Sequence, residues 1–444
     1  MQILHATPNS RWFSPLPRKG GDAAKLRSGD GLRDFDFKKA VNDANRQIDN
    51  SDHLFYNESM DALERLKLLS SQMKLEPAED LDIPEMGPCT HLTAAKQDAV
   101  VVSHAVMPNG QHIKLLKTLL TSVCERNCYY CPFRAGRDFR RATFRPEEFA
   151  RTFMLLHQKD IAEGVFLSSG VINGGVQTED QLIATAEVLR YKLGFRGYIH
   201  LKIMPGAERA QVERAMQLAD RVSINLEAPN TARLEKLAPL KQFTEELLQP
   251  LRWVEDIRRN QPRYKGWNGH WPSSVTQFVV GAVGDSDLEL MHTTEYLYRR
   301  LRLTRTYFSA FNPIPNTPLE DVPPTSPRRE QRLYQASFLL RDYGFGLEDL
   351  PFDGVQNLPL DTDPKLAWAR VNLTEPVEVN RADRHELLRV PGIGPRIADK
   401  ILKARREGKL RDISSLAKMG PSARRAAPFI LLDGKRPAFQ RSLW

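Results

Sequence analysis

Cysteine is scarce in this chain, with four residues among 444. So few exclude a disulfide-built fold, which would be cysteine-dense. Long apolar runs are also missing, so no segment reads as a bilayer span of about 20 residues. The start lacks the basic-then-apolar order of a secretory leader. Together these absences predict a protein of a reducing, cytoplasmic compartment with no membrane partner. What is present is ordinary for a globular chain of two or three domains, 41% apolar and 27% charged. The formal net charge of +9 is unevenly placed. From Pro376 to Trp444 there are 16 Lys and Arg against seven Asp and Glu, whereas the preceding residues carry 48 of each. A basic excess confined to one end is either a footprint for a polyanion or a solvated tail.

Three of the four cysteines crowd into TSVCERNCYYCPFRAGR, Thr121 to Arg137, as Cys124, Cys128 and Cys131. Thiolates at C-x3-C-x2-C spacing on one loop can all reach a single iron-sulfur cluster. Three ligands serve three irons of a four-iron cube and leave the fourth to an outside chelator. The competing reading, a structural zinc site, wants four ligands in paired blocks, and no second block exists. His157 lies too far along, in a helical pattern, to be a natural fourth ligand. A disulfide would leave one of the trio unpaired. Cys89, alone in a connector, reads as an unliganded thiol.

Around this loop the chain alternates. Residues 1–57 are polar and without periodicity, predicting a loose arm. Met60 to Lys74 has helical spacing, and Met60 offers an alternative start. Residues 58–110 form this helical lead-in and a connector. From Ile113 a buried strand leads into the cysteines. Five further strand patterns follow, at Val165–Gly170, Tyr198–Gly206, Arg221–Pro229, Val275–Gly284 and from Thr306, with helical stretches between them. Six strand-helix units over residues 111–322 predict an α/β fold with a parallel sheet. Polar residues recur at the strand ends: Ser168, Ser169 and Gly170; His200 and Lys202; Asn225 and Glu227; Gln277 and Gly281; Ser309 and Asn312. Spacing by two puts Lys202 with His200, and Glu227 with Asn225, on one face of each strand. Singly such residues are often loop flanks; together they predict a wet rim beside the cysteine loop. Residues 323–375 read as a closing helix and linker.

The segment 376–432 supplies the basic charge. VNRADRHELLRVPGIGPRIADKILKARREG gives a helix, a Pro-Gly-Ile-Gly turn and a helix opening at Pro395, a helix-hairpin-helix. Gly392 and Gly394 allow a tight turn with amides directed at a phosphate. Arg396, Lys400 and Lys403 on the following helix are candidate phosphate partners. Leu387, Leu388, Ile397 and Ile401 supply a small core. A degenerate second hairpin follows at Ile413–Ile430, and residues 433–444 are a tail. The alternative use of this module is protein contact or domain packing.

The cysteine spacing, with Tyr130 before the last cysteine, resembles the radical S-adenosylmethionine (radical SAM) superfamily. With LSSGVI, GYIHLKIMPG, SINLEAPN, YFSAFNPIP, DPKLAWAR and VNRADRHELLRVPGIG in order, residues from about Met60 to Ile430 resemble the DNA modification/repair radical SAM proteins. That resemblance implies a partial (β/α)6 barrel with a C-terminal all-α helix-hairpin-helix module. It implies a [4Fe-4S] cluster held by Cys124, Cys128 and Cys131, and S-adenosyl-L-methionine (SAM) at the open iron, cleaved to a 5'-deoxyadenosyl radical. Ser169 and Gly170 would meet the amino group of SAM, and Asn225 or Glu227 its ribose. Gly281 would let the backbone approach the adenine. Tyr130 and Lys202 complete the expected cofactor site. The implied partners are DNA, with RNA as the alternative, an electron donor such as a flavodoxin or ferredoxin, and a uracil-DNA glycosylase-like protein. A non-catalytic iron-sulfur DNA-binding protein is the reading from a different class.

Overall fold

The computed structural model describes residues 60–75, 80–81, 100–106 and 111–439. The arm expected over residues 1–57, Cys89 and the end of the tail lie outside these residues. One eight-stranded sheet runs in chain order through the described part. Its first strands, β1 (Asp80–Leu81) and β2 (Val102–Val106), are antiparallel to their neighbours. From β3 (His112–Leu119) onward every pairing is parallel. The strands are β4 (Gly164–Ser168), β5 (Tyr198–Lys202), β6 (Arg221–Ser223), β7 (Ser273–Val280) and β8 (Arg305–Ala310). These six are the six expected, and the sheet curls into a half-barrel. β1 and β2 were not expected; they lie in the stretch read as a connector.

The parallel strands are apolar runs because both faces are covered, as in β4, where all five residues are buried. The helices between them show one apolar stripe. Pro146–Gln158 buries Phe149, Phe153 and Leu156, at i, i+4 and i+7. Asp287–Leu301 opens with a reciprocal capping box between Ser286 and Glu289. The helix between β4 and β5 runs from Gly174 and widens into a π-turn at Val188–Lys192. There the buried Arg190 donates to the carbonyls of Leu218, Phe195 and Gly197 and pairs with Asp220.

An open sheet must manage its edges. On the β8 side the helix Pro327–Asp342 lies along the strand. The Tyr334 hydroxyl donates to the Phe308 carbonyl and accepts from the Phe308 amide, both at 3.1 Å. The Glu330 carboxylate accepts the Ala310 amide at 2.8 Å. The helix Ala62–Ser71 packs on β3 instead of on an edge, burying Leu66 and Leu69, and its Arg65 pairs with Glu148 while donating to the Thr143 carbonyl.

The C-terminal region has its own apolar cluster, which includes Leu387, Leu388, Ile397 and Ile401 as expected. Its helices are Arg384–Arg389, Pro395–Ala404 and Ile413–Met419, followed by a 3-10 segment at Pro421–Phe429. A short parallel pair, β9 (Val377–Glu378) with β10 (Ile430–Leu431), ties its ends together, an addition to the all-helical expectation. Among the described residues no helix is long and apolar enough to cross a membrane.

Candidate active site

The cysteine loop is an excursion between β3 and the helix Pro146–Gln158, pinched shut at its base. The Ser122 amide donates to Ala142 and the Phe144 amide to Leu120, while the Thr121 and Thr143 hydroxyls meet at 2.6 Å. Inside the loop Arg141 gathers four main-chain carbonyls: Ser122 at 2.6 Å, Phe133 at 3.0 Å, Arg134 at 2.9 Å and Arg137 at 3.2 Å. Its guanidinium also lies 4.1 Å from the Phe139 ring centroid. Arg126 fastens the outer side, bonding the Leu240 carbonyl and pairing with Glu246 at 2.7 Å. The loop meets the segment after β4 so closely that residue 170 has to be glycine. A Cβ there would stand 2.1 Å from the Val123 carbonyl oxygen and 3.2 Å from Cys124 Cβ.

Cys124, Cys128 and Cys131 are free thiols that line one cavity of about 600 Å³ at the carboxyl ends of the strands. Two amides point at sulfur: Val171 donates to Cys124 Sγ and Phe133 to Cys131 Sγ, each at 3.4 Å. Such donors stabilise negative charge on thiolate or cluster sulfur. Burial pushes the Cys128 thiol up, and burial followed by the charge of Cys128 pushes Cys131 up. A bound cation would replace those protons. Among the described residues no three His, Cys, Asp or Glu side chains converge on a single ion. In a cubane each thiolate meets its own iron. The donor set and its amides therefore fit a cluster.

Tyr130, Ser169, Gly170, Lys202, Asn225 and Glu227 also line this cavity, so the structure brings most of the expected cofactor site together. Asn225 Nδ2 donates to Gln277 Oε1 at 3.3 Å. Glu227 is 4% exposed and takes a φ of 65°, a strained conformation for a long side chain. It is held there because its amide donates to the Gln277 carbonyl and its own carbonyl accepts from Val279. Its Oε1 accepts from Lys241 Nζ at 2.9 Å. Oε2 has no partner in full hydrogen-bond geometry, although the Tyr130 hydroxyl is near enough to couple to the carboxylate. Burial alone would raise this carboxyl, but the charges of Lys241 and Lys202 outweigh it and hold the group below its ordinary range. Lys241 was not expected from the sequence; burial alone would lower it, but the charges of Cys128 and Glu227 outweigh that and hold it above its ordinary range.

Gly281 falls elsewhere. Its amide donates to both Asp285 carboxylate oxygens at 3.0 Å, and its Cβ position is filled by Thr325 Oγ1 at 2.1 Å. That glycine serves a turn at φ 88° and does not line the cavity. The hairpin glycines are also fixed by packing. Gly392 adopts φ 84°, and a Cβ there would meet the Ser422 carbonyl oxygen at 2.3 Å; one on Gly394 would meet the Tyr343 hydroxyl at 2.9 Å. These positions are glycine because the module packs tightly at the turn, whatever its amides do. Arg396, Lys400 and Lys403 are exposed, but Lys400 donates to the Met419 carbonyl and so serves the second hairpin. Lys365, buried in the linker helix Pro364–Asn372, donates to the Ile393 carbonyl at 2.6 Å and joins the turn to the barrel side.

Comparison with known proteins agrees with this geometry. The profile of the Radical SAM superfamily matches residues 118–269, and that of the Helix-hairpin-helix motif matches residues 373–421. No curated protein matches the chain. Similar solved structures include methylornithine synthase (PylB), 16% identical, covering 52% of this chain and 62% of its own, at a TM-score of 0.40. The FeFe-hydrogenase maturase HydG from Carboxydothermus hydrogenoformans is 16% identical, with 51% of each chain covered and a TM-score of 0.41. The radical SAM methyltransferase TsrM from Kitasatospora setae, with cobalamin and a [4Fe-4S] cluster bound, is 14% identical, covering 47% of this chain and 36% of its own at 0.36. This chain thus spans less than two thirds of the length of each. The chain carries a radical SAM domain and a helix-hairpin-helix motif. Radical SAM enzymes use a [4Fe-4S] cluster and SAM.

Proposed function

We propose that this protein is a radical SAM enzyme acting on nucleic acid, DNA in the first instance, in modification or repair. The observation that carries the reading is the joining of a three-thiol cavity and a basic hairpin module by one helix. Pro327–Asp342 contributes Glu330 and Tyr334 to the cavity and ends against the hairpin turn at Tyr343. Cys124, Cys128 and Cys131 would hold the cluster. When bound, the cluster supplies the electron that splits SAM to a deoxyadenosyl radical, which takes hydrogen from the substrate. The chain's own part is to orient and to exclude water. Ser169 and Gly170 border the cysteines, and Asn225 and Glu227 offer polar atoms to a ribose. Lys241 and Lys202 keep Glu227 ionised, and Tyr130 covers that carboxylate from the loop. The barrel would comprise residues 111–322, the closing segment 323–375 and the nucleic-acid module 376–432. A flavodoxin- or ferredoxin-like reductant and a uracil-DNA glycosylase-like protein are the proposed partners.

Arg396 and Lys403 test the module without disturbing its turn, since both are exposed. The double substitution Arg396→Glu, Lys403→Glu should weaken binding of two unrelated duplexes alike, because phosphate contacts carry no base information. Each lost contact should lower the log-log salt slope by about one. Fluorescence anisotropy over a salt series measures both. Undiminished binding would refute the module as the contact, and a clear preference for a matching RNA would make RNA the substrate.

A further inference from the structure

Between the cavity and the hairpin runs a strip of side chains that the proposed chemistry leaves unused. Glu330, Tyr334, Phe338 and Arg341 recur at i, i+4, i+8 and i+11 on Pro327–Asp342, which puts them on one helix face. Glu330 and Tyr334 line the cavity. At the far end Arg341 donates to the Thr304 carbonyl, just ahead of β8, and pairs with its neighbour Asp342. Arg305, the first residue of β8, lies 4.8 Å from the Phe338 ring centroid and 5.5 Å from those of Tyr334 and Tyr307. Arg341 stands 5.2 Å from the same Phe338 ring. Arg305, Tyr334, Phe338 and Arg341 are all half-buried, so each keeps part of its side chain toward solvent. Two residues beyond Arg341, Tyr343 abuts Gly394 of the hairpin, and Arg389 of the module donates to the Gly344 carbonyl.

We propose that this strip is a track for an unpaired nucleic-acid strand, leading it from a duplex held at the module into the cavity. The proposal rests on the functional reading above and deepens it by naming the substrate form. A base stacked in a duplex cannot bring its atoms down to the floor of a concave cavity, so a nucleotide whose base reacts there has to be unpaired. Aromatic rings interleaved with guanidinium planes are the surface on which successive bases stack, whatever their sequence. Basic charge at Arg305 suits the backbone. The helix also sets a length. Tyr334 and Glu330 precede Tyr343 by nine and thirteen residues, which at 1.5 Å per residue is about 14 to 20 Å. At about 3.4 Å per stacked nucleotide that span is roughly four to six nucleotides.

The test is anisotropy of one short duplex carrying single-stranded tails of two, four, six and eight nucleotides, against the same duplex with blunt ends. Two-nucleotide tails, which end near Phe338, should gain only part of the effect, whereas tails of four to six should bind about tenfold tighter, the effect of roughly one well-stacked base. Phe338→Ala and Arg305→Ala should each remove that gain and leave blunt-duplex affinity unchanged. Arg305→Lys, which keeps the charge without the planar face, should retain only part of it. Phe338→Leu keeps an apolar contact for folding but should still lose the tail gain. A wild-type protein that binds blunt and tailed duplexes equally would overturn the track alone, as would variants that weaken both alike. Failure to bind any nucleic acid would overturn the functional reading together with the track.

Discussion

A single hydrogen atom at position 170 decides whether the cysteine loop can seat. With the Val123 carbonyl oxygen 2.1 Å from where a methyl group would stand, Gly170→Ala must push the loop away from β4. The Val171 amide would then lose Cys124 Sγ. The variant should fold but retain well under half of the wild-type iron after anaerobic reconstitution; full iron content would contradict the packing argument. Glu179 makes a different prediction. It is fully buried, its Oε2 accepts the Met204 amide at 2.8 Å, and Oε1 has no partner. Burial pushes its carboxyl up to about 8. Between its unfolded value near 4.5 and about 8, the native state binds the extra proton. Stability is therefore fully present below that window and falls as pH rises through it, by up to about 1.4 kcal/mol per pH unit. Glu179→Gln should flatten that slope in urea denaturation between pH 5 and 9, while an unchanged slope would place the titration elsewhere. The three cysteines were legible because their spacing alone carries the chemistry. Arg141 and Lys241 were not, since one serves main-chain carbonyls and the other a carboxylate that only folding brings near.

The edge strand β8 depends on a side chain from another element. Tyr334 occupies both hydrogen-bonding groups of Phe308 with one hydroxyl, so Tyr334→Phe leaves a donor and an acceptor without it. The cost should be about 1–3 kcal/mol, read as a shifted urea midpoint at unchanged slope. A loss below a few tenths of a kcal/mol would mean water replaces the hydroxyl and the edge is not closed there. At this scale the parallel strands were plain in the sequence, because strands covered on both faces read as apolar runs between amphipathic helices. β1 and β2 were hidden: β1 is two residues long, and β2 (VSHAV) carries Ser103 and His104 within its five residues. The π-turn at Val188–Lys192 was hidden as well, since it accompanies the buried interactions of Arg190, not any local propensity.

At the scale of the whole molecule, the barrel and the basic module meet through a small set of contacts. Lys365 holds the Ile393 carbonyl, Arg389 pairs with Asp349 at 2.8 Å, and Arg389 lies 4.0 Å from the Phe345 ring centroid. The module itself was legible, turn and core alike. Its docking was not, because Tyr343 and Lys365 lie outside the motif that the sequence displays. On the function proposed above, one chain makes a radical from SAM and uses it on nucleic acid held nearby. The most direct measurement is deuterium transfer. Reduced, cluster-loaded protein is given SAM and deuterated DNA, with deuterated RNA in parallel, and the 5'-deoxyadenosine is weighed by mass spectrometry. Deuterium from the DNA should appear in that product, and should be lost when Arg396 and Lys403 are reversed in charge. Deoxyadenosine formed equally well with and without nucleic acid, and free of its deuterium, would contradict that function.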